Sequence, residues 1–171
     1  PSILRGFSAP VILERAVPAG ERAFLLAHDT DPFNRWEAGR ALAKEVMARM
    51  VVEGAKPSAE LLDGMARVAF DDALDPAFRA LALRLPAEDD MAATLHAAGH
   101  VPDPDRIHRA RRDMHLALAQ AVAPRLGGLE AAMRVGGAYS AVATAAGKRA
   151  LRLAAVSLLS RLEGGAAARA A

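Results

Sequence analysis

The chain predicts an all-α fold, and three observations carry that prediction. Apolar residues fill 53% of the 171 positions while aromatics fill only 4%, so the apolar mass is Ala, Leu, Val and Met. Ala, Leu and Met, with the frequent Arg, are strong helix formers because a helix costs them little side-chain freedom. Asp-Pro occurs at Asp31-Pro32, Asp75-Pro76 and Asp103-Pro104. The Asp side chain accepts from an orphan amide of the first turn, and Pro has no amide to leave orphaned. Finally, apolar residues recur at three- and four-residue spacing over long stretches. The expected architecture is an irregular, solenoid-like array of about seven antiparallel helices, preceded by a short extended segment.

Residues 1–13 set Ile3, Phe7, Val11, Ile12 and Leu13 among Gly6, Ser8 and Pro10. The local character is extended, with Pro10 tolerable only at an edge or break. This reads as the terminal strand of a preceding β-sandwich. Unpaired, such a strand offers residues 3–13 for self-association. Residues 14–163 form the helical part. A short helix fits Glu21–His28. The three Asp-Pro pairs start three more, Ser58 after Pro57 starts another, and Pro86 with Glu88, Asp89 and Asp90 starts a further one, the acids favouring the positive helix end. Trp36, Gly39, Ala43, Val46 and Met50 fall on one face. So do Ile107, Ala110, Met114, Ala117 and Ala121, and again Leu151, Ala155, Leu158 and Leu162. Gly54, Gly99, Gly127-Gly128 and Gly136-Gly137 read as stops, and Pro124 as an end or kink. Residues 164–171 are a low-complexity tail. The Asp-Pro starts are unevenly spaced, so no fixed period emerges and a regular repeat family is disfavoured.

Lys and Arg number 22 against 20 Asp and Glu, a formal net charge of +2. That balance argues against a nucleic-acid partner, which would demand charge gathered on one face. Cysteine is absent, which removes thiol chemistry and suits a reducing cytoplasm. No stretch is long and apolar enough for a membrane span. The chain shows no charged leader and begins at Pro1, as an excised segment would.

Few motifs suggest chemistry. His96 and His100 stand four apart, but Ala97 takes the place of the Glu that a peptidase zinc helix needs, and Gly99 and Pro102 mark a helix ending. His108 and His115 lie among Arg109, Arg111 and Arg112, a poor setting for a cation. The run from Arg106 to Arg112 lacks interleaved aromatics and is flanked by Asp103, Asp105 and Asp113. Asp71, Asp72 and Asp75, like Glu88, Asp89 and Asp90, suit helix ends better than paired-carboxylate catalysis. The serines sit in no nucleophile elbow, and no phosphate loop follows a glycine run. No catalytic or metal-ligating residue is assigned. Trp36, the lone tryptophan, is expected to anchor the core of its helix. Arg35 diverges from it by about 100° and is expected to dock a neighbouring domain through a charge-assisted bond.

Three stretches carry a family resemblance. Leu4-Arg5-Gly6-Phe7-Ser8-Ala9-Pro10-Val11 resembles the closing sandwich strand of the bacterial aminopeptidase N family. Phe24-Leu25 through Asp31-Pro32-Phe33-Asn34-Arg35-Trp36-Glu37-Ala38 resembles the first helices of that family's C-terminal domain. Gly147-Lys148-Arg149-Ala150-Leu151-Arg152 resembles a later helix there, with looser agreement at Leu74-Asp75-Pro76, Leu85-Pro86 and Met91. The resemblance implies a parent zinc peptidase that releases N-terminal residues from peptides. Its zinc helix and amine-binding loop belong to an earlier domain, so none of its catalytic residues carries over. This chain is then a non-catalytic piece of the helical cap that closes the active-site chamber, holding no cofactor itself. Its partners are the remaining domains of the parent, and peptides are the parent's substrates. The alternative reading is a free-standing helical protein–protein interaction module.

Overall fold

The computed structural model describes residues 17–162 together with 165, 168 and 169. The expected strand at 1–13 and most of the tail lie outside the described residues. Within them, seven helices follow in order: α1 (Ala19–His28), α2 (Pro32–Glu53), α3 (Ala59–Ala69), α4 (Pro76–Ala82), α5 (Glu88–Ala97), α6 (Pro104–Ala132) and α7 (Ala143–Leu159). The all-helical array is the one the sequence predicts.

The start signals work as their chemistry requires. The side chains of Asp31, Ser58, Asp75 and Asp103 each accept from an amide two or three residues on, and Pro32, Pro76 and Pro104 each take the first helical position. Each such cap is worth about 1 kcal/mol. Gly54 closes α2 in the left-handed conformation at φ 69°, which a side chain would oppose. α1 begins at Ala19, two residues before the sequence suggests.

Two stops do not act. α6 runs through Pro124, Gly127 and Gly128 to Ala132. All three of these residues are exposed, as is Gln120, whose carbonyl loses its partner to proline. Water can satisfy that carbonyl, and the helix is held on its other side by buried Val122, Leu126 and Leu129. Tertiary burial outweighs the local breakers. The stripes also shift. On α6 the buried line passes from Met114 to Leu118 and Val122, leaving Ala117 and Ala121 aside. On α2 it runs through Arg35, Ala38, Leu42, Val46 and Met47.

The core joins Leu26, Leu42, Met47, Leu61, Met91, Leu95, Ile107, Met114, Leu118 and Leu151. α1 packs on α2 and α3, and α7 packs on both α6 and α4. Leu26 is the wedge between α1 and its neighbours. A Cβ placed on Gly39 of α2 or on Gly64 of α3 would come within 2.8 Å of its methyl groups. At the other end, Gly147 lets α7 approach the backbone of α4, where a Cβ would stand 3.0 Å from the Ala77 amide nitrogen.

Arg35 and Arg79 play the same part in two helix pairs. Each sits one turn beyond an Asp-Pro start and reaches back to the end of the previous helix. The Asp29 amide already caps Leu25 O. Arg35 donates from Nε to Leu26 O at 3.0 Å and from Nη2 to Ala27 O at 3.2 Å. Arg79 donates from Nε and Nη2 to Ala69 O, the last residue of α3, at 2.9 and 2.6 Å. Both guanidiniums also meet the α3–α4 turn, Arg35 at Asp71 (3.5 Å) and Arg79 at Asp72 (2.9 Å). Helix ends leave carbonyls unpaired, and a planar fork of donors can satisfy several at once.

Candidate functional site: an open groove between five helices

A groove of about 1190 Å³ opens on one side of the described helices. Its walls come from α2 (Trp36, Arg40), α4 and the following link (Leu81, Arg84, Leu85, Pro86), α5 (Asp89, Asp90), α6 (Arg111, His115) and α7 (Leu153, Ala154, Ser157). Buried Leu83, Leu85 and Leu158 form its floor. Leu153 is 71% exposed, an unusual place for a large apolar side chain on a well-packed helix. Arg84 lies between buried Leu83 and Leu85 and is itself exposed.

The charges are unevenly satisfied. Asp90 pairs with Arg40 at 2.8 Å and with Lys44 at 2.6 Å. Asp89 accepts from the Asp90 amide in the first turn of α5. Arg111 donates from Nε to Pro86 O at 3.0 Å, a neutral partner. His115, one turn further along α6, is pushed down to about 4 from an ordinary 6.5, first by burial and then by the positive charges of Arg111 and Arg161. Its imidazole is therefore neutral at pH 7.

Arg35 turns inward and Trp36 lies at the groove wall. Arg35 is only 6% exposed, with its guanidinium held by the chain's own carbonyls. Trp36 is half-buried, lies beside the core cluster rather than within it, and lines the groove with Arg40 over its ring at 5.5 Å. The inward placement of Arg35 has a physical cause: a charged side chain can take such a position once unpaired helix-end carbonyls await it there.

The remaining candidates are dispersed. α5 ends at Ala97 and Gly99 turns at φ 82°, so His96 and His100 share no helical face. His108 pairs with Glu88 at 2.9 Å. Along the basic run, Arg106 reaches Val52 O and Arg112 pairs with Asp113, while Ile107 and Ala110 are buried. Asp71 and Asp72 serve the two buried arginines. The histidines thus do not fit a zinc site, and among the described residues no three His, Asp or Glu side chains converge to hold a metal.

Three buried charges, Asp29, Arg79 and Glu130, escaped sequence reasoning. Glu130 is 2% exposed and receives Arg134 of its own helix at 3.0 Å and Arg152 of α7 at 2.6 Å. The hydrogen bond from Arg134, with that from Arg152, holds its carboxyl below the usual range. The four-residue spacing of Glu130 and Arg134 was a legible signal, hidden by taking Gly127-Gly128 as a stop.

Comparison with known proteins agrees with the resemblance seen in the sequence. The chain is 40% identical over 161 residues to Aminopeptidase N of Caulobacter vibrioides, covering 93% of this chain and 18% of that protein. It is 30% identical over 131 residues to Aminopeptidase N of Escherichia coli, covering 74% and 15%. The chain thus spans less than a fifth of these relatives. A crystal structure of Legionella pneumophila aminopeptidase A in complex with aspartic acid superposes with a TM-score of 0.76 over 94% of this chain and 19% of that one. At 22% identity this likeness concerns the fold. Residues 19–171 match the family described as "Domain of unknown function (DUF3458_C) ARM repeats". That description corrects the expectation of no repeat. The arginines that close the first two helix pairs, Arg35 and Arg79, lie 44 positions apart, within the period of roughly 40–47 residues of armadillo-type arrays. Asp103-Pro104 breaks this register and hid it. The chain belongs to the DUF3458_C family of ARM-repeat helical domains.

Proposed function

We propose that this chain is the helical cap and scaffold of the active-site chamber in a zinc-dependent aminopeptidase that releases N-terminal residues from peptides. Catalysis belongs to other domains of the parent, and so does the zinc. Residues 1–13 then finish a preceding β-sandwich domain, and residues 14–163 open the C-terminal helical domain. One observation carries the reading: nearly the whole chain matches a small fraction of Aminopeptidase N. The dispersal of its histidines supports it. No described helix is long and apolar enough to cross a membrane, and a cysteine-free chain suits the cytoplasm, where we place the parent.

The test is an assay of the isolated chain with an aminoacyl chromogenic substrate and added zinc. No turnover is expected. Robust turnover that survives repurification would overturn the assignment of catalysis to other domains.

A further inference from the structure

We propose that the groove bounded by Trp36, Leu81, Arg84, Arg111 and Leu153 is the seat of an acidic amphipathic helix supplied by another part of the parent protein. This rests on the scaffold reading and names the chemistry of the partner.

Three features define the occupant. The first is its backbone. Every described element around the groove is a helix or a helix link, so no strand edge is present to pair with an extended peptide. A segment buried there must satisfy its own amides and carbonyls, which a helix does. The second is its apolar face. Leu153 and Leu81 are exposed at the walls, Trp36 is half-buried, and Leu85 and Leu158 form the floor. An open groove of about 1190 Å³ exceeds the roughly 300–1,000 Å³ of sites for small molecules. The third is its charge. Of the two lining carboxylates, Asp90 is neutralised by Arg40 and Lys44, and Asp89 accepts from a backbone amide. Arg84 has no side-chain partner among the described residues. Arg111 has only the neutral carbonyl of Pro86. Arg161 adds positive charge near His115, acting on that ring after burial and Arg111. Two guanidiniums without a carboxylate, against one carboxylate without a cation, leave the lining charge positive. A helix with leucine-like side chains along one stripe and carboxylates on its borders complements it, and one bordered by lysines does not.

The experiment titrates the chain with two synthetic helical peptides about 18 residues long, a length that favours helix. They share a leucine stripe and differ in having Glu or Lys along its borders. Trp36, the only tryptophan, reports binding by its fluorescence. The acidic peptide is expected to bind at least about tenfold more tightly. Arg84→Glu, at an exposed position, narrows that ratio, and Arg84→Glu with Arg111→Glu inverts it. Leu153→Asp weakens both peptides. Circular dichroism checks that each variant is folded. If the double variant unfolds, Arg84→Glu alone decides. Equal binding of the two peptides, no binding of either, or a preference indifferent to charge reversal overturns the proposal. So does a dimer of the chain that Leu153→Asp dissolves, since the occupant would then be a second copy. A chain that binds neither peptide yet joins the rest of its parent defeats the groove and spares the scaffold reading. Turnover by the isolated chain does the reverse.

Discussion

Replacing Arg79 by Met should be the costliest single change in the link between α3 and α4. The side chain is 3% exposed, and its guanidinium directs two donors at Ala69 O, at 2.9 and 2.6 Å, and a third at Asp72. Met keeps most of the apolar stem, so packing loss is small. What is lost is the charge-assisted hydrogen bonding, about 1.5–3 kcal/mol, and a buried carbonyl is left without a partner at about 1–3 kcal/mol. A net cost of about 3–5 kcal/mol follows, in line with breaking other buried charged contacts. For a chain of this size that lowers the melting temperature by roughly 10 °C. The control is Asp72, whose side chain is 88% exposed. Asp72→Ala should cost under about 1 kcal/mol, because solvent screens the pair. Arg79→Lys should fall between, since an ammonium cannot direct two donors at one oxygen and a third elsewhere. Urea denaturation of the three variants measures all of this. If Arg79→Met costs less than about 1 kcal/mol, or Asp72→Ala costs as much as Arg79→Met, the carbonyl is not what the arginine serves.

Two glycine substitutions should move stability in opposite directions. Gly127→Ala, on the exposed face of α6 with nothing near its Cβ position, should add about 1 kcal/mol from helix propensity. Gly39→Ala gains the same propensity but strikes Leu26 at 2.8 Å. Overpacking of about 1–3 kcal/mol should win, because Gly64 blocks the other side of that leucine. Thermal melts of both variants check the pair, and stabilisation by Gly39→Ala would show that Leu26 is free to move. His115 supplies a pH dependence. Its folded value near 4 lies below the ordinary 6.5, so the unfolded chain takes up a proton between those limits that the fold resists. Stability should therefore fall as pH drops from 6.5 to 4, by about 1 kcal/mol at pH 5 after allowance for solvent screening. Denaturation at pH 7 and pH 5 should show this loss in the wild type and little of it in His115→Gln. An equal loss in both would assign it to other groups.

What was legible in the sequence was whatever a few neighbouring residues decide. Asp31, Ser58, Asp75 and Asp103 act on amides two or three positions away, so their roles follow from the local pattern. Gly54 needs only its own φ. What was not legible depends on distant partners. Pro124 and Gly127 are breakers by composition, yet they lie on the exposed side of a helix whose other side is fastened to the core. Arg35 reads as a surface charge until the end of α1 is known to lie beside it. The groove draws on positions from Trp36 to Leu158, and no periodicity links residues so far apart.

The buried arginines show why this fold extends as an array. A helix pair leaves unpaired carbonyls where its first helix ends, and a charge on the next helix must come inward to meet them. Asp-Pro fixes where that next helix begins, which fixes the turn from which the arginine points. Start and clamp therefore form one device, and it recurs 44 residues on, at Asp75-Pro76 and Arg79. At the third start the device is incomplete. Ile107 occupies the position one turn beyond Asp103 and is buried, while Arg106 beside it only grazes Val52 O at 3.4 Å. There the regular pairing gives way to the 29-residue α6, whose Arg111 and His115 line the groove further along.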